Sequence, residues 1–266
     1  MSIARLAERL RRGDLSPREA VASYLERIDR LDGELNAYIA VRADEALAEA
    51  EALERRSAPK GPLHGVPVAV KDVIDVEGVA TTAASRILAG NVPAASATVV
   101  ERLCDAGAIV LGKLNTHEFA YGAMTTSQHF GPAHNPWATD RICGGSSGGS
   151  GACAAADLAA GTLGTDTAGS IRIPASFNGV TGVRPTHGLV SNAGVVPVAW
   201  SFDTVGPIAR SAEDCALVLE VIAGPDPRDP TTARRPAGSY VAGLGDGIDG
   251  LRVGVVRALF ERDVDP

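Results

Sequence analysis

Residues 144–186 read GGSSGGSGACAAADLAAGTLGTDTAGSIRIPASFNGVTGVRPT. Small residues dominate this stretch, but Asp166, Arg172, Pro174, Phe177 and Asn178 punctuate it, so it is no low-complexity repeat. A flexible linker lacks such punctuation. Small residues interrupted by charged and bulky ones read as backbone held in tight turns or brought close to a ligand. Within the stretch, Gly148 to Leu158 fits a helix and Gly161 to Thr165 a short strand.

Working outward, Val66 to Val70 (VPVAV) and Ala108 to Leu111 (AIVL) are short apolar runs of the kind that form buried strands. Thr98 to Ala106 between them reads as a helix. Leu251 to Val256 (LRVGVV) reads as a further strand of the central sheet. Before Pro62 the pattern is helical. Ala4, Leu6, Ala7 and Leu10 recur at helical spacing, and Gly13 is a stop signal. Ser16, Pro17 and Glu19 supply an N-cap, a first-turn proline and a capping box for a second helix. Ala43 to Arg56 forms a third. Helices alternating with short apolar strands predict an α/β fold with a parallel or mixed sheet. Residues 1–57 are expected to be a helical layer of the same domain, and residues 58–266 its catalytic core. Gly224 to Gly247 reads as a surface connection.

The 266-residue chain has 45% apolar and 21% charged residues, close to an ordinary soluble protein. Its net charge of −7 gives no bulk attraction for nucleic acid or an anionic membrane. No run reaches the roughly 18 apolar residues of a membrane span. The opening MSIARLAERLRRGDL lacks the apolar block of a signal peptide. Cys104, Cys143, Cys153 and Cys215 show no CxxC spacing, which fits a reducing cytoplasm better than a disulfide or zinc framework.

Three features carry chemistry. Lys71 directly follows VPVAV, and a lysine at the end of a buried strand is desolvated, which lowers its pKa. The alternative is an exposed lysine, or one paired with Asp72. Gly144 to Gly149 (GGSSGG) puts two hydroxyls on a sharp turn, and it lacks the GK[ST] ending of a phosphate loop. Gly164 to Pro174 (GTDTAGSIRIP) places Ser170 after a strand and a small-residue turn, where successive amides can converge on an oxyanion. Asp166 and Arg172 flank that serine and are positioned to pin the loop by a charge-assisted bond. The motif is not the GxSxG elbow of the α/β-hydrolases.

Together these features resemble the amidase signature family. The likeness runs from about Pro62 onward and includes PLHGVPVAVKDVIDVEG, ATVVERLCDAGAIVLGKLNTHEFAYG and FGPAHNPW. It implies an α/β/α sandwich around a mixed central sheet and a Ser-cisSer-Lys triad. In that triad Ser170 is the nucleophile, Ser146 the bridging serine after a cis bond from Gly145, and Lys71 the base. The amides of Thr167, Ala168, Gly169 and Ser170 would form the oxyanion hole, with Ser147 as loop support. Tyr121 and Gly122 are substrate candidates, because their segment lines the pocket in relatives. Ala168 stands where many members have a second glycine, and Cys143 where proline is frequent. His64, His117, His129, His134 and His187 have no metal-ligand spacing. His129 and His134 precede the serine turn, a place from which one could line the pocket, but structural or solvent-exposed roles are expected for the histidines. Trp137 reads as turn packing.

The resemblance implies hydrolysis of a small-molecule amide through an acyl-enzyme, without metal or organic cofactor. The alternatives are the glutaminase-type component of a tRNA-dependent amidotransferase and a non-catalytic fragment. A homodimer and amidotransferase partner subunits both stay open as assemblies. Family members are usually longer, so the C-terminal part of the family domain is expected to be missing. Apolar faces of the core should then be left uncovered around the Leu251 to Val256 strand.

Overall fold

The computed structural model describes residues 1–233 and 238–256. Its elements in chain order are α1 (Ile3–Arg12), α2 (Pro17–Leu35), β1 (Tyr38–Val41), α3 (Ala43–Glu54), β2 (Pro67–Lys71), α4 (Thr98–Asp105), β3 (Ile109–Leu114), β4 (His134–Asn135) and β5 (Ala138–Ile142). They continue with α5 (Gly148–Ala155), β6 (Gly161–Asp166), α6 (Arg172–Asn178), β7 (Thr181–Gly182), β8 (Thr204–Ala209) and α7 (Ala212–Ile222).

The helical layer follows its local signals. Ser2 caps α1 by accepting from Arg5 N, and Gly13 ends it at φ 75°. The capping box of α2 is complete: Glu19 N donates to Ser16 Oγ at 3.1 Å and Ser16 N to Glu19 Oε2 at 2.9 Å. The apolar stripe Ile3, Leu6, Ala7 and Leu10 is buried in the same hydrophobic cluster as β2, β3 and α7. Helix α1 also meets α7 directly, where Ala4 N donates to Asp214 Oδ1.

The strands form one mixed sheet in the order β1-β3-β2-β6-β8-β7. β2 lies parallel to both β3 and β6, while β1, β8 and β7 run antiparallel to their neighbours. Every residue of β2, β3, β6 and β8 is buried, as helices covering a sheet require. This is the mixed central sheet flanked by helices that the sequence led us to expect. The sequence reading passed over β1, α6, β8 and α7. β8 reads TVGPIA, and Gly206 with Pro207 hides a strand from pattern reading. Pro207 is tolerated because its carbonyl still accepts, here from Val183 N.

The expected strand at Leu251 to Val256 is not formed. Residues 251–256 have no regular structure, and Val253 is 78% exposed. Alternating apolar residues make a strand only when a ladder partner meets them. The sheet edge beyond β8 is already taken by β7, through Thr181↔Ala209 and Gly182↔Ile208.

A buried ion pair sits beside β2. Lys113 of β3 and Asp72 are both fully buried, with Nζ 2.8 Å from Oδ1. Lys113 Nζ also donates to Thr81 Oγ1 at 2.8 Å and to the Ala80 carbonyl. Asp72 Oδ2 accepts from the amide and hydroxyl of Thr82. Removing one member of such a pair leaves the other charge uncompensated in the core. Lys113→Met is therefore expected to destabilise the fold by about 3–5 kcal/mol in urea unfolding. A loss under about 1 kcal/mol would show that the Thr82 donors alone hold Asp72.

Candidate active site

Successive residues of a strand face opposite sides. At the end of β2 this separates Lys71 from Asp72. Asp72 turns to Lys113, which removes the pairing that the sequence left open for Lys71. Lys71 instead reaches the GGSSGG turn, with Nζ 2.7 Å from Ser146 Oγ and 2.8 Å from Thr165 Oγ1. Both contacts are hydroxyls, and the amine is wholly buried. Burial pushes the Lys71 pKa down from 10.5 to about 7, against the opposing pull of Asp166 and Asp203.

Ser146 is fully buried and follows a cis peptide bond from Gly145. Its carbonyl accepts from Thr116 Oγ1 (2.9 Å), His117 N (3.0 Å) and Thr125 Oγ1 (3.2 Å). The glycines around it are needed for space. A Cβ at Gly145 would lie 2.6 Å from Met124 N, and one at Gly149 2.4 Å from the Asn115 carbonyl oxygen. Ser147 has a different set of partners. Its hydroxyl donates to the Thr165 carbonyl and accepts from Thr165 N, and its amide donates to the Ser170 carbonyl at 3.1 Å. It ties the GGSSGG turn to β6 and to the Ser170 turn, and makes no hydrogen bond to the lysine.

β6 ends at Asp166, which organises the turn that follows. Asp166 accepts from the amides of Gly169, Ile171 and Arg172, and from Arg172 Nε and a terminal guanidinium nitrogen, each at 3.1 Å. Arg184 Nε lies 3.2 Å away. Burial opposes the charge on Asp166, but the Arg172 bonds and the backbone amides outweigh it and hold the pKa below 3.8. On the other side of the turn the Thr167 hydroxyl donates to Asp203, whose second oxygen accepts from the amides of Val198 and Ala199.

Ser170 is half-buried and opens into a cleft of about 310 Å³, shared with Gly145, Thr167, Ala168, Tyr121 and Gly122. Among the described residues its hydroxyl has no hydrogen-bond partner. The amides of Thr167, Ala168 and Ser170 also have no protein acceptor there. The expectation of a free amide at Gly169 is corrected: that N–H donates to Asp166 Oδ1 at 2.8 Å and anchors the turn. The structure thus joins Lys71 to Ser146 by a hydrogen bond and places Ser170 in the adjoining cleft.

His129 packs edge-on against Phe130, and His134 Nδ1 is 2.8 Å from the Thr139 carbonyl; neither lines the cleft. Trp137 holds a turn through Nε1 to the Asn178 carbonyl. Sequence reading missed Thr165, Thr116, Thr125, Asp203 and His117. Only Thr165 carried a signal, as the residue before Asp166 on a buried strand.

The amidase family model matches residues 19–266. The chain belongs to the amidase signature family. It is 47% identical over its whole length to the A subunit of the glutamyl-tRNA(Gln) amidotransferase of Methylococcus capsulatus, of which it covers 55%. Peptide amidase from Stenotrophomonas maltophilia superposes with a TM-score of 0.86 at 42% identity, over 91% of this chain and 52% of that one. A protein solved in a study of the evolutionary origins of an s-triazine catabolic enzyme gives 0.92 at 43% identity, over 95% of this chain and 56% of the other. The chain spans about half the length of the curated relatives it matches.

The Lys71 pKa has a consequence for stability. The free side chain titrates at 10.5 and the folded one at about 7. Between those values the unfolded chain holds a proton that the folded chain lacks, so the burial penalty is full below about pH 7 and fades toward pH 10.5. Lys71→Met is expected to raise the thermal midpoint most at pH 6, with the gain shrinking at pH 9.5. An equal gain at both pH values would place the folded pKa near its ordinary value.

Proposed function

We propose that the protein hydrolyses a carboxylic amide through Ser170. The observation that carries this reading is the 2.7 Å contact between Ser146 and a lysine held at about 7, buried beside the cleft that Ser170 and Gly145 line. A neutral amine at neutral pH can take a proton, which a lysine in water cannot. In this reading Ser170 Oγ attacks the amide carbonyl. Its proton passes to Ser146, whose own proton passes to Lys71. The carbonyl oxygen becomes an oxyanion facing the amides of Thr167, Ala168 and Ser170. As the tetrahedral centre collapses, the C–N bond breaks and Lys71, through Ser146, returns a proton to the departing amine. Water then attacks the acyl-enzyme by the same route and releases the acid and Ser170. Asp166, Arg172 and Ser147 hold the two turns in register, and Asp203 fixes Thr167. Lys71, Ser146 and Ser170 are all that this scheme asks of the protein as proton carriers. Four free cysteines, three of them buried, fit work in a reducing cytoplasm.

A second reading is favoured by the match, over the whole of this chain, to the A subunit of a glutamyl-tRNA(Gln) amidotransferase. The same chemistry would then release ammonia from glutamine for use with partner subunits. Turnover of glutamine, set against a panel of primary amides and anilides and measured with and without such subunits, separates the two.

Lys71→Met is expected to lower kcat/KM by about 10²–10⁴-fold with the fold intact. In wild type kcat/KM should rise with pH through about 7, as Lys71 loses its proton. Activity within a few-fold of wild type in Lys71→Met would remove Lys71 as the base. An alkyl fluorophosphonate should label Ser170: an Oγ–P bond forms, the P–F bond breaks and fluoride departs. Ser170→Ala should abolish the label. An adduct mapped by mass spectrometry to Ser146 or Ser147 would move the nucleophile.

A further inference from the structure

The cleft wall at Gly122 is thin, and His117 stands behind it. Gly122 lines the cleft and His117 does not. Gly122 has no left-handed φ that would demand glycine, so its lack of a side chain is a matter of space. A Cβ there would lie 2.4 Å from His117 Nε2 and 2.5 Å from Cδ2 and Cε1. The nearest contacts a side chain at this position would make are therefore all with one imidazole ring.

The backbone of His117 is fixed on both sides, and its ring has one hydrogen-bond approach. The His117 amide donates to the Ser146 carbonyl at 3.0 Å, and its own carbonyl accepts from Ala120 N at 2.8 Å. Thr126 N approaches Nδ1 at 3.5 Å. The backbone of His117 is thus tied to the serine that Lys71 touches, while its imidazole lies between Gly122 and Thr126 N. Burial lowers its pKa below 6.5, with Glu118 opposing and Lys71 assisting, so it stands there as a neutral ring at pH 7.

We propose that His117 sets the size of the acyl group that the cleft admits, as a positioning residue acting through Gly122. The proposal rests on the amide-hydrolase reading of the same cleft. A glycine wall cannot resist pressure by itself, because it has no side chain to pack. The ring behind it supplies the stiffness, and removing the ring opens space at that one point.

The experiment compares the labelling rates of Ser170 by a small alkyl and a bulky arylalkyl fluorophosphonate. Gly122→Ala, whose methyl meets the ring and pushes the residue's backbone toward the cleft, is expected to lower the bulky-to-small rate ratio by about tenfold. His117→Ala in that background is expected to bring the ratio back to within about threefold of wild type, as direct neighbours couple. His117→Ala alone should raise the ratio and His117→Phe should lower it, a comparison that stands even if Gly122→Ala does not fold. A ratio unmoved by both His117 variants, or equal slowing of both probes, would overturn the proposal while leaving Ser170 as nucleophile. A wild-type chain that takes up neither probe would overturn the nucleophile, and the proposal with it.

Discussion

A lysine that ends a fully buried strand has to give up either its charge or its isolation from acids. Lys71 loosens its hold on the charge, with its pKa brought down to about 7. Among the described residues its amine meets only hydroxyls within bonding distance, Ser146 and Thr165, while the carboxylates of Asp166 and Asp203 act on it from farther away. Their pull is outweighed by burial, and the result is an amine poised near neutrality. Much of the surrounding construction keeps that balance. Asp72, the carboxylate next in sequence, faces the other side of the sheet and is occupied by Lys113. Asp166 is saturated by Arg172 and backbone amides, so its charge is committed to the turn and makes no bond to Lys71.

The two fully buried lysines show how partners decide what burial does. Lys71 and Lys113 lie on neighbouring strands, one residue out of register, since Val70 pairs with Lys113 and Lys71 with Leu114. Burial lowers both pKa values. For Lys113 an aspartate sits 2.8 Å away and the pair anchors the Thr81–Thr82 segment to the sheet. For Lys71 no carboxylate among the described residues is that close, and the same desolvation leaves an amine with a pKa of about 7. One strand offset, through the alternation of faces, separates a buried ion pair from an amine held by hydroxyls.

The sequence announced the central parts of this arrangement because they rest on local chemistry. An apolar pentapeptide followed by lysine, a glycine-flanked serine pair and a turn of small residues are each visible without a fold. The helical layer was equally plain, since Ser16, Pro17 and Glu19 write the start of α2 into the chain. What stayed hidden depended on neighbours distant in sequence. β8 contains Gly206 and Pro207 and becomes a strand because β6 offers five consecutive partners. Leu251 to Val256 has the opposite history: it has the residues of a strand and meets no ladder. The loss of the Gly169 amide to Asp166 follows from how sharply the turn folds back, which spacing cannot show. Asp203 and His117 were invisible for the same reason, because each acts by contact across a gap in sequence.

These contacts explain why the site tolerates so many small residues. A glycine-rich turn has little rigidity of its own, and a proton path needs atoms fixed to within a fraction of an ångström. Here the rigidity is imported. Three donors from two separate segments fix the Ser146 carbonyl, the Ser147 hydroxyl and amide lock two backbones together, and five bonds converge on Asp166. Small residues let these backbones approach closely, and side chains rooted elsewhere then supply the stiffness. The rim of the cleft is looser: Tyr121 is 81% exposed, and at Gly122 the wall rests on the His117 ring. Floor and wall share one residue: the His117 amide helps to fix the Ser146 carbonyl, while its ring packs against Gly122 at the cleft wall.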